Sequence, residues 1–126
     1  MTIRQTVTRT KRRIIMIKKR ILIDVDGVLN TYSGIYNENV IPPIRKNTKY
    51  FLSEIAKSYN IVLFSSREPQ QVKKWTIENG IDKYITQITN KKLPAFLIID
   101  DRCIPFNGDE YQTLEAIKKF NVWWKE

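Results

Sequence analysis

The run Ile21-Leu22-Ile23-Asp24-Val25-Asp26-Gly27-Val28-Leu29 constrains this chain more than any other. Its apolar start reads as a buried strand, Ile21–Val25. Gly27 marks a turn where the backbone comes close to something else. Between them stand two carboxylates one residue apart. Acids at the mouth of a buried strand are unfavourable unless a cation or a proton offsets them. Chemistry is therefore expected at this strand end.

The rest of the chain repeats the theme. Residues 30–46 are polar, with Gly34, Asn37, Asn39 and the pair Pro42-Pro43, and read as a loop or flap. Tyr50, Phe51, Ile55 and Tyr59 recur at helical spacing over 47–58, with Asn60 as the terminator. Ile61–Phe64 is a second buried strand. Val72, Trp75 and Ile77 predict a helix over 69–79, closed by Gly80. Short strands follow over 84–88 and 96–99, and a small edge strand over 104–106 that Pro105 weakens. Leu114, Ile117 and Phe120 share one face of a last helix over 111–120. The aromatic end, Val122-Trp123-Trp124, is expected to pack onto the sheet.

Strands alternating with helices predict an α/β fold with a mainly parallel, Rossmann-like sheet covered on both sides, a three-layer sandwich. Ligands of such sheets bind beyond the C-terminal strand ends. That rule selects Asp24 and Asp26, Ser65 and Ser66, and Asp100 and Asp101, three apolar runs that each end in carboxylates or hydroxyls.

Composition narrows the chemistry. The chain has 126 residues, one domain's worth, and no histidine. Histidine bases, histidine-ligated zinc and Ser-His-Asp triads are excluded together. The lone Cys103 has no partner for an internal disulfide, which predicts a reducing cytoplasm, and it reads as a buried apolar residue. No apolar run is long enough for a membrane span. The net charge of +9 is unevenly spread. Of 22 basic residues, eight fall in residues 1–20, which hold no acid, leaving 14 against 13 acidic residues beyond. Residues 1–20 thus read as a basic arm, disordered in part, and 21–126 as a nearly neutral catalytic domain. Such an arm could also touch nucleic acid.

Clustered acids without histidine or thiolate point to Mg²⁺ as the counter-charge. A carboxylate beside Mg²⁺ can attack phosphorus, and a second one nearby can serve as general acid and base.

With those residues in view, Asp24-Val25-Asp26-Gly27-Val28-Leu29 resembles the first motif of the haloacid dehalogenase-like phosphohydrolases. Ile61-Val62-Leu63-Phe64-Ser65 resembles their second, and Leu97-Ile98-Ile99-Asp100-Asp101 their fourth, an acidic pair. Their third motif, a lysine before the fourth strand, corresponds to Lys91 or Lys92; Lys92-Leu93-Pro94-Ala95 leads directly into the strand, which favours Lys92. The run Ile99-Asp100-Asp101-Arg102 followed by Phe106 looks like the small phage-type and bacterial members. The resemblance implies Asp24 as nucleophile and Asp26 as general acid/base, with the Asp26 backbone carbonyl a metal ligand. It implies Ser65 and Lys92 on the phosphoryl group, and Asp24, Asp26, Asp100 and Asp101 around Mg²⁺. Ser65-Ser66-Arg67 resembles the Ser-Gly-Arg of polynucleotide 3′-phosphatase domains, which makes Ser66 and Arg67 substrate-binding candidates. Arg67 could equally pair with Glu68 or another acid.

No segment is long enough for a cap domain, so an open site is expected. It suits a large phosphorylated substrate, and a second copy of the chain could close it over a small one. Tyr32 and Tyr36 could stack on a base or sugar. The implied activity is phosphate monoester hydrolysis through an aspartyl-phosphate. The alternatives are a nucleic-acid 3′-phosphatase and a non-catalytic nucleic-acid-binding accessory protein using the arm. A response-regulator receiver joins similar groups, but in a different order along the chain.

Overall fold

The computed structural model describes residues 17–125. Four strands form one sheet: β1 (Lys19–Asp24), β2 (Tyr59–Phe64), β3 (Ile85–Thr89) and β4 (Leu97–Ile99). Their order is β3-β2-β1-β4, and all pairs are parallel. Three α-helices accompany them: α1 (Thr48–Ala56), α2 (Pro69–Glu78) and α3 (Glu110–Lys119), with a 3₁₀ turn at Asp82–Tyr84. The arrangement is α/β and Rossmann-like, with no cap domain among the described residues.

Pleating explains which side chains form the core. Ile21 and Ile23 pair in register with Ile61 and Leu63, and all four point to one face. Leu52 of α1 and Val72 and Trp75 of α2 close over them. Leu22 and Val62 point to the opposite face and are buried as well. Burial on both faces is why these strands read as continuous apolar runs.

Several local expectations change. β1 starts at Lys19 rather than Ile21, because Lys19 and Arg20, the last basic residues of the expected arm, pair in register with Tyr59 and Asn60 of β2. Arg20 donates to the Pro94 carbonyl at 2.9 Å and Lys18 to that of Ala56 at 2.9 Å. The arm before residue 17 lies outside the described residues. Asn60 does not end a helix; it is in β2, paired with Arg20. α1 buries Leu52, whereas Tyr50 is exposed. No strand forms over 104–106, where Pro105 lacks a ladder donor, and Cys103 beside it is exposed rather than buried. The last helix does form, but it buries none of its residues.

The connections position the site. The chain steps from β1 through α1 to β2 and through α2 to β3, then returns to the other side of β1 to form β4. The strand order reverses between β1 and β4. In open parallel sheets a crevice opens beyond the strand ends at such a reversal. Asp24 ends β1, and Asp100 and Asp101 follow β4.

Candidate active site

The loop after β1 is held from several directions. The Val25 carbonyl accepts from the amides of Val28 (3.3 Å) and Leu29 (2.9 Å). Asn30, fully buried, accepts from the amides of Gly27 (3.2 Å) and Tyr32 (3.0 Å) through Oδ1. Its amide group donates to Asp26 Oδ1 at 2.9 Å. Gly27 has φ +83°, and a Cβ there would collide with the Asp101 carboxylate and lie 2.7 Å from Trp124 Nε1. Only glycine fits this position without strain.

Asp24, Asp100 and Asp101 come together across the β1–β4 reversal. Each offers a carboxylate oxygen within 4.8 Å of those of the other two. Burial, the hydrogen bond with Asp101 and the nearby charge of Asp100 push the Asp24 carboxyl up to about 8. Burial also raises Asp100. Burial pushes Asp101 the same way, but hydrogen bonds from Trp124, Asp24 and Asp100 outweigh it and hold that carboxyl low. Without a cation, these directions favour the protonated form of Asp24 and the ionised form of Asp101. Three carboxylate oxygens this close together could also hold a hard divalent cation.

Asp26 faces elsewhere. Arg67 donates to its Oδ2 through Nε at 2.8 Å and to its Oδ1 through Nη2 at 3.3 Å. The Arg67 side chain is fully buried and also donates to the Asn37 carbonyl at 2.9 Å. Arg67 is thus ion-paired, with Asp26 as the acid. The Asp26 carboxylate is not part of the three-acid cluster.

A cleft of about 340 Å³ opens over these groups. Asp24, Asp26, Ser65, Ser66, Asp100 and Asp101 line it, together with Tyr32, Tyr36, Phe64, Asn90 and Arg102. Ser65 is buried and accepts the Arg67 amide at 3.1 Å, while Ser66 is exposed at the cleft. The flap that carries Tyr32 and Tyr36 is closed at its base by the bridge between Asn30 and Ile44. Lys91 and Lys92 are both exposed and neither is in the lining; the crossover places Asn90 there instead.

Sequence reasoning missed Asn30, Arg102, Trp123 and Trp124. Asn30 had a signal: an Asn shortly after a turn glycine often accepts local amides. Arg102 was quoted only within a motif, although its amide donates to Asp100 Oδ1 at 2.9 Å. The tryptophans had no local signal. Only Val122 of the aromatic end is buried; Trp123 and Trp124 turn to the acidic loop rather than pack onto the sheet.

No family model matches the sequence, and no curated protein matches it. Among solved structures, a conserved protein from Bacteroides thetaiotaomicron superposes with a TM-score of 0.55 at 20% identity. The match covers 85% of this chain and 95% of that one. At such identity the likeness concerns the fold alone. No helix among the described residues is long and apolar enough to cross a membrane.

Proposed function

We propose that this chain is a capless, Mg²⁺-dependent phosphatase of the haloacid dehalogenase-like type, acting through an aspartyl-phosphate on Asp24. One observation carries the reading. Asp24, Asp26, Ser65, Asp100 and Asp101, from three separate strand ends, line a single open cleft.

In this reading an Asp24 oxygen attacks the phosphorus of a monoester, and the bond from phosphorus to the leaving oxygen breaks. Asp26 gives the leaving oxygen its proton, then takes one from the water that hydrolyses the aspartyl-phosphate. Asp26 Oδ1 already accepts from Asn30 and Arg67, whereas Oδ2 accepts from Arg67 alone. Oδ2 is therefore the oxygen with a lone pair to spare for the proton. The Ser65 hydroxyl accepts the Arg67 amide and keeps its own hydrogen for a phosphoryl oxygen. Arg102 lines the cleft as a cation, and Lys92 would have to swing in from the neighbouring crossover. Held by Asp24, Asp100 and Asp101, with the Asp26 carbonyl as a further ligand, Mg²⁺ would neutralise the acids and the phosphoryl charge.

The test is a panel of phosphate monoesters with and without Mg²⁺, comparing the wild type with Asp24→Asn. Mg²⁺-dependent release of phosphate, abolished in Asp24→Asn, is expected. Release that survives the substitution would remove Asp24 from the nucleophile's role.

A nucleic-acid 3′-phosphatase is the second reading. Tyr32 and Tyr36 in the cleft lining favour it, since aromatic rings there could stack on a base. Preference for a 3′-phosphorylated oligonucleotide over small esters, lost in Tyr36→Ala, would select it.

A further inference from the structure

The two last tryptophans make contacts that burial does not explain. Trp123 is 57% exposed, yet its indole N–H donates to the Gly27 carbonyl at 2.7 Å, 96 residues back along the chain. The Trp124 indole N–H donates to Asp101 Oδ2 at 2.6 Å. Adjacent residues thus direct both ring donors at the acidic site, one at its loop and one at its carboxylate.

The surroundings fix both rings. The Trp123 ring lies under the Arg45 guanidinium, 4.5 Å away. The Trp124 ring stands edge-on to Tyr32, with centroids 5.3 Å apart. Arg102 lies 5.4 Å from the Trp124 ring. Gly27 makes the approach feasible, because a Cβ there would occupy the space of Asp101 and Trp124 Nε1.

We infer that Trp123 and Trp124 are positioning residues: the C-terminal segment latches onto the acidic loop and presets it for a divalent cation. The inference rests on reading Asp24, Asp100 and Asp101 as a cation site. An indole N–H can only donate, so Trp124 holds Asp101 as an oriented acceptor and leaves its other oxygen for the ion. Trp123 holds the turn between Asp26 and Val28. Together they join the β1 loop to the β4 loop beyond the last ladder pair, Ile23 with Ile99.

The experiment measures Mg²⁺ affinity by calorimetry on the full chain, with unfolding of the cation-free protein followed in parallel. Trp124→Phe keeps an aromatic ring and removes the N–H. It is expected to weaken Mg²⁺ binding about 10- to 100-fold, the usual range for partners that orient ligating groups. Trp123→Phe is expected to weaken it in the same direction, and stands in if Trp124→Phe does not fold. Trp75→Phe, in the core and away from the acids, is the control: it lowers stability and leaves affinity unchanged. In that variant only Trp123 and Trp124 emit as indoles, so added Mg²⁺ should change its tryptophan fluorescence. Unchanged affinity in Trp124→Phe and Trp123→Phe would overturn the latch while leaving the cation site standing. So would losses of affinity that track stability across all three variants. A wild type that binds no Mg²⁺ would overturn the cation site and the latch with it.

Discussion

Gly27 shows how much a single residue can carry. Its φ of +83° is one that side chains with a Cβ rarely adopt, and the space beside it belongs to Asp101 and Trp124. Gly27→Ala therefore meets backbone strain and a collision at once. A loss of about 1–3 kcal/mol in unfolding free energy is expected from the strain alone. Denaturant unfolding measures it, and Mg²⁺ titration of the same variant should show weakened binding because Asp101 must move. The sequence pointed to this glycine as a place of close approach. It could not say what approaches, since the Asp101 carboxylate and the Trp124 indole arrive from far along the chain. Asp26 and Arg67 make the same point. Both were legible as site candidates, but their pairing follows from two strand ends lying side by side, which local pattern does not encode.

At the scale of elements, α2 was the most legible. Pro69 stands in its first turn, and Gly80 follows its end at φ +69°. Glu68 caps it by accepting from the amides of Gln70 (2.8 Å) and Gln71 (3.3 Å). The cap also matters to the site, because Arg67 immediately precedes it and Gln71 donates to the flap carbonyl of Glu38 at 2.8 Å. Glu68→Ala should cost about 1 kcal/mol, in line with other N-cap removals. Thermal unfolding reads the loss, and a native-like Mg²⁺ affinity would separate helix stability from cation binding. α1 was less legible: its spacing highlighted Tyr50, although the sheet lies on the Leu52 side. Amphipathic periodicity gives the existence of a face more securely than its orientation. The edge strand expected over 104–106 failed for the reason Pro105 already signalled.

Over the whole molecule, stability and ionisation are linked through the acidic centre. Folded Asp24 keeps its proton up to about pH 8, whereas its ordinary value is 3.8. Between those values the folded chain binds more protons than the unfolded one, so this group's contribution to stability falls as pH rises. Asp101, held low, has the opposite sign: its contribution is present above the ordinary carboxylate value and is lost as pH falls through its lowered one. Because the Asp24 displacement is large, the cation-free protein should lose stability from about pH 4 to about pH 8. If Mg²⁺ binds there as proposed, it would displace the Asp24 proton, so it should stabilise the fold most at the alkaline end and release a proton on binding near neutrality. Unfolding midpoints across pH, with and without Mg²⁺, check the slope; Asp24→Asn should flatten it.

The sequence by itself determined the α/β class, the principal strands and the acids and hydroxyls at their ends. Those properties are local: apolar runs, helical periodicity and breaker residues act within a few positions along the chain. Only the tertiary structure decided that Asp24, Asp100 and Asp101 form one cluster while Asp26 turns to Arg67. It also brought Trp123 and Trp124 to Gly27 and Asp101, and left Lys92 outside the cleft. The physical reason is the path of the chain through the sheet. The return from β3 to the far side of β1 creates the crevice, and groups distant in sequence meet there through directional hydrogen bonds that no local pattern specifies.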